Sequence, residues 1–110
     1  MIKIVIPPIT KIGSHEYDII FDEAQDDKSW RGTFSDRQHK IILNPKLHPQ
    51  QLRITFLHEI IHLTCDLNSL EPPEQDVDRL AESLGDLLFR WLGVDLDLSE
   101  VPTLERKIKE

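Results

Sequence analysis

Residues Thr55 to Thr64 read TFLHEIIHLT, and the stretch poses a problem, because two histidines and a glutamate sit in a segment otherwise built like a core helix. At about 100° per residue, Phe56, Leu57, Ile60, Ile61 and Leu63 point almost all the way round the helix axis, so the helix is expected to be buried. Polar groups inside it then need partners, since an unpaired buried polar group costs on the order of a few kcal/mol. His58 and His62 lie about 40° apart in azimuth and one turn apart along the axis, so both imidazoles can aim at one point. A metal ion there is a partner for all three polar side chains. Zinc takes imidazole nitrogen, and a catalytic zinc typically has three protein ligands and an open fourth position. Glu59 stands beside that position, where it can accept a proton from zinc-bound water while the ion polarises a substrate carbonyl.

The rest of the chain narrows the setting. Its 110 residues are expected to form one domain, residues 1–110, and 39% hydrophobic content supports a core without a large surplus. A bound ion would therefore matter for folding as well as chemistry. The net charge of −7 leaves no basic field, which argues against a nucleic-acid partner. No apolar run is long enough for a membrane helix, and the opening MIKIVIPPI is interrupted by Pro7 and Pro8. Cys65 has no second cysteine to pair with, which fits a reducing compartment, and the expected location is cytoplasmic.

Up to about Leu43 the sequence alternates short β-prone runs, IKIVI, YDIIF, WRGTF and KIILN, with turn formers such as Gly13-Ser14 and Ser35-Asp36. Three or four strands in a small, twisted, mostly antiparallel sheet are expected, with WRGTFSDRQHKIIL as a hairpin whose polar first arm suits an edge. Pro49 opens a helix running to about Asp66. A second helix is expected from near Pro72 to Gly93, because Val77, Leu80, Ala81, Leu84, Leu87, Leu88, Trp91 and Leu92 follow the i, i+3, i+4, i+7 rule. VDLDLSE reads as extended, and residues 99–110 as a polar tail. Strands followed by two long helices give the α+β class.

The pair of histidines needs a third donor. Asp66, Glu71, Glu74, Asp76, Asp78, Glu82 and Cys65 all follow His62. Cys65 projects about 60° away from His62 and reads better as a small buried hydrophobe. Glu74 and Asp76 flank the apolar stripe of the second helix on opposite sides, and periodicity does not choose between them.

HEIIH followed by EQDVDRLAESL resembles the gluzincins, and more narrowly the small metallopeptidases of the ImmA/IrrE type and the single-domain minigluzincins. These place a strand ending in I-x-L-N before the H-E-x-x-H helix, as KIILNP does here, and then a helix patterned E-x-x-x-[ND]-x-x-A. The likeness covers Gly32 to Leu88. It implies a minimal zincin fold, one zinc ion per chain, His58, His62 and Glu74 as ligands, Glu59 as general base, and Asp78 as the residue orienting a zinc-bound histidine. The eleven residues between His62 and Glu74 are fewer than in larger gluzincins, which keeps Glu71 and Asp78 in play as ligands.

The implied activity is zinc-dependent peptide-bond hydrolysis, by an endopeptidase of gluzincin type. The alternative is a non-catalytic interaction module stabilised by its metal. Resemblance also implies a peptide or protein substrate added to an edge strand, here Arg31 to Phe34. It further implies latency through the protein's own tail. An additional electrophile would come from Tyr17, His15, His39 or Arg79, while Trp30 and Trp91 read as core or cleft-wall residues. Substrate identity and oligomeric state are open.

Overall fold

Alternation in HEYDIIF and KIIL drives the centre of the molecule. Tyr17, Ile19, Ile41 and Leu43 are all fully buried, and they come from two strands whose side chains alternate between faces. A computed structural model of the chain describes residues 2–13, 15–22, 31–35 and 38–103. Its elements are β1 (Ile2–Val5), β2 (Ile9–Ile12), β3 (His15–Phe21), β4 (Gly32–Ser35), β5 (Lys40–Leu43), α1 (Pro49–Leu67), α2 (Glu74–Gly85), a π-helical segment (Asp86–Trp91) and β6 (Val94–Asp97). This is an α+β arrangement of mixed sheets and helices.

The sheet is antiparallel in its outer pairings, as expected, but parallel at its centre. Its order is β2-β3-β5-β4, and the central pair β3 and β5 is parallel, with Asp18 opposite Lys40 and Phe21 opposite Leu43. Only the outer pairs, β2 with β3 and β4 with β5, are antiparallel. A separate parallel pair joins β1 to β6. The expected hairpin is present, with Gly32 opposite Leu43 and Ser35 opposite Lys40, and β4 is an edge of the sheet.

Helix α1 starts as its sequence indicates, with Pro49 as its first residue and the His48 ring accepting from the Gln50 N–H at 3.3 Å. Thr55, Phe56, Glu59 and Leu63 form its buried stripe, and Phe56 and Leu63 join the core with Tyr17, Ile19, Ile41 and Leu43. Ahead of it, the buried Asn44 donates its N–H to the Arg31 carbonyl at 2.9 Å and accepts from Lys46 N–H on Oδ1 at 3.0 Å. Those bonds fix where the chain leaves β5 relative to the start of β4.

The second helix differs more. Regular α-helix ends at Gly85, and the next six residues form a wider π-helical stretch before Gly93 closes it at φ 66°, the left-handed position expected of it. The widening lets Phe89 pack against the core, whereas Leu80, Leu84, Leu87, Trp91 and Leu92 are exposed. Trp91 is therefore neither core nor cleft wall, and the buried face of α2 is Val77, Ala81 and Gly85. Trp30 lies outside the described residues.

The tail is also not simply polar and solvated. Val101 is a core residue, and the Phe21 N–H donates to the Pro102 carbonyl at 2.9 Å. The latency expected of the tail falls largely on residues 104–110, which lie outside the described residues. No helix among the described residues is long and apolar enough to cross a membrane.

Leu63 carries α1 onto the sheet with no exposed surface, while Leu70, in the loop after α1, is exposed. We expect Leu63→Ala to cost about 2–5 kcal/mol in urea unfolding, and Leu70→Ala to stay within about 0.5 kcal/mol of wild type.

Candidate metal centre

Two i, i+4 pairs face each other across the α1–α2 contact. His58 and His62 project from α1, Glu74 and Asp78 from α2, and the contacts His58–Asp78 and His62–Glu74 show that the helices run antiparallel. The face that α2 turns inward is Val77, Ala81 and Gly85, with Val77 and Ala81 fully buried.

The donor atoms converge tightly. His58 Nε2 lies 2.7 Å from Glu74 Oε1, His62 Nε2 lies 2.9 Å from Glu74 Oε2, and the two Nε2 atoms are 3.0 Å apart. On the other side of its ring, His58 Nδ1 lies 2.9 Å from Asp78 Oδ1. A carboxylate can only accept, so Nδ1 carries a proton toward Asp78, and Nε2 is the ring nitrogen that faces His62 and Glu74. Lone pairs and a carboxylate at such separations repel unless positive charge lies among them. Ligands at 2.0–2.1 Å around a tetrahedral ion would stand roughly 3.3 Å apart, so an outward shift of a few tenths of an ångström fits one. His58, His62 and Glu74 are thus a group that could hold a metal ion, and among the described residues they are the group with that geometry.

Glu59 occupies the neighbouring position. It is buried on the core-facing stripe of α1, its Oε1 lies 4.0 Å from His58 Nε2, and its Oε2 has no hydrogen-bond partner among the described residues. Burial first, and then the negative charge of Glu74, push its pKa up to about 7 from an ordinary 4.5. A carboxyl poised there can take and return a proton near neutral pH.

These side chains line a cleft of about 980 Å³. Arg31, Gly32, Thr33 and Phe34 form one wall, and Ile54, Thr55, Ala81 and Glu82 complete it. A Cβ on Gly32 would meet Ile42 O and Thr55 Cγ2 at 3.0 Å, so this glycine seats the edge strand against α1. Two residues on, the Phe34 ring stacks on His62 with centroids 5.4 Å apart.

Of the other candidate ligands, Glu82 reaches the cleft wall but not the donor group, and Asp66, Glu71, Asp76 and Cys65 are outside that group as well. None of the four suggested electrophiles lines the cleft. Tyr17 is fully buried and stacked on His39, which also meets His15 edge-on, and Arg79 is paired with Asp76 on the surface. Among the described residues, Arg31 is instead the one Lys or Arg that lines the cleft. Spacing carried no sign of this role, because Arg31 precedes its strand and reaches the site only through the β4–β5 pairing. Comparison of the chain with protein-family models, with curated proteins and with solved structures gives no match.

The raised pKa has a stability consequence in metal-free protein. Native Glu59 holds its proton more tightly than the unfolded chain does, so its contribution is fully favourable below pH 4.5 and is lost as pH rises through 7. In the presence of a chelator, we expect Glu59→Gln to match wild type near pH 4 and to be more stable by on the order of 1–3 kcal/mol at pH 8, read from urea melts at both pH values.

Proposed function

We propose that the protein is a zinc-dependent peptidase in which His58, His62 and Glu74 hold the ion and Glu59 is the general base. The observation that carries this reading is the pairing of a convergent His-His-Glu donor set with a buried glutamate, 4.0 Å from His58 Nε2 and unpartnered at one oxygen among the described residues. Zinc is favoured because two imidazoles and one carboxylate are a donor set it uses at hydrolytic sites. When bound, the ion would lower the pKa of a water and polarise the scissile carbonyl.

The chain's own residues supply the rest. Asp78 holds the His58 ring in the tautomer that leaves Nε2 free to ligate, and makes that nitrogen more basic. Glu59 takes a proton from the attacking water and passes it to the departing amide nitrogen, returning to its starting state. Its burial, with one carboxylate oxygen unpartnered among the described residues, leaves it available for both transfers. Arg31 offers positive charge toward the carbonyl oxygen, where negative charge develops. The outer edge of β4 is free of a strand partner among the described residues, so an extended peptide can lie along Arg31 to Phe34 by main-chain hydrogen bonds, one side of it facing the donor group.

A metal-stabilised module without turnover would use the same three donors but would have no need of Glu59. Glu59→Gln therefore separates the readings. We expect it to bind one zinc with wild-type affinity, measured by competition with a chromophoric chelator, and to lose about 10²–10⁴-fold in cleavage of a mixed fluorogenic peptide set. Equal activity in the two proteins, or none in zinc-loaded wild type across such a set, would count against the peptidase. The ligand assignment has its own test: His58→Ala abolishes tight binding, and Asp78→Ala weakens it about 10–100-fold with the ligands intact.

A further inference from the structure

The metal centre uses one face of α2, and the large apolar residues of this helix lie on another. Leu80, Leu84 and Leu87 are 49, 40 and 44% exposed, and Trp91 and Leu92 extend the surface at 84 and 54%. Together they present on the order of 500 Å² of apolar side chain, large for one patch on a monomer and a substantial part of the roughly 800 Å² that each partner gives to a standard interface. At 100° per residue, Leu80 lies about 120° and Leu84 about 80° from Glu74, and both lie about 120° or more from Asp78, so a partner on this face leaves the cleft open.

The charges bordering the stripe identify what covers it. Asp76 and Arg79 border its beginning, Asp86 and Arg90 its end, and all four side chains are at least half exposed. The order along the helix is acid, base, acid, base. Turned end for end about a point near Ser83, the pattern maps onto its complement: Asp76 meets the partner's Arg90, Arg79 meets the partner's Asp86, and Leu80 meets the partner's Leu87. A helix face complementary to its own antiparallel copy is what a two-fold interface requires.

We propose that the outward face of α2 is the contact surface of a homodimer, in which two copies pack antiparallel through Leu80, Leu84 and Leu87 and are held in register by Arg79 against the partner's Asp86 and Asp76 against the partner's Arg90. The inference does not depend on peptidase activity or on a bound metal. Apolar burial supplies the attraction, and because all four charges lie on one flank of the stripe, only the antiparallel two-fold brings the charged flanks of the two copies together.

Sedimentation velocity of the full chain across a wide concentration range tests it. Wild type is expected to rise from 12.8 kDa toward twice that mass. Leu84→Glu should remain at the lower mass with unchanged circular dichroism and zinc affinity. Arg79→Asp should weaken association by about tenfold or more, and Arg79→Asp combined with Asp86→Arg should recover it, because the swap restores each cross-pair. These exposed charge variants also decide the matter should Leu84→Glu fail to fold. A wild type of 12.8 kDa at every concentration overturns the proposal, as does a dimer that survives Leu84→Glu or a charge swap that restores nothing.

Discussion

The convergence of two imidazole nitrogens and a carboxylate at the contact of two helices is the constraint on which the rest of the site depends. Two imidazole lone pairs and a carboxylate are brought within 2.7–3.0 Å of one another by a helix pair, and only positive charge among them makes that arrangement favourable. The helix pair reaches it with small side chains of α2 turned inward. A bulky residue at the fully buried Ala81, which lines the cleft, would press on α1 close to the donor group. Along α2, Val77, Ala81 and Gly85 are buried while Leu80 and Leu84 are exposed, so this helix buries little of its own apolar surface.

Glu59 shows the same tension from the other side. It stands between Phe56 and Leu63 on the buried stripe of α1, where a leucine would serve the core better, and one of its oxygens has no partner among the described residues. A local rule of folding is broken at the position where a displaced pKa is chemically useful, and such breaches are expected at functional sites. The neighbouring Asp78 has a different part. Its bond to His58 Nδ1 settles which nitrogen faces the centre, so the donor geometry does not depend on protonation equilibria of the ring alone.

How much of this was legible beforehand differs by element. The α1 helix, its Pro49 start and the aim of His58 and His62 follow from spacing, because one helix fixes them locally. Glu74 as third donor and Asp78 as the partner of His58 came through family resemblance, since periodicity left Asp76 equally placed; the contact between helices resolves that choice in the geometry. The parallel pairing of β3 with β5 was not readable, because alternation records which face a residue takes and not the direction of its neighbour. The leucine stripe of α2 misled for a related reason: hydrophobic periodicity marks an apolar face without saying whether the chain itself covers it. Val101 was missed within a short polar segment where one buried residue makes no period.

The pairing of β1 with β6 bears on the order in which the molecule assembles. Ile2 lies opposite Val94, so this small sheet closes a loop of nearly the whole chain, whereas His62 and Glu74 are joined through one short turn. Loop closure costs more entropy the longer the loop, and local contacts are gained first. The helical hairpin with its donors is thus the kinetically accessible part of the fold, and the parallel strands that bring the two ends of the described chain together are the late part. An ion captured by the hairpin would act on folding as a nucleus, holding two helices in register while the sheet around them is still being completed.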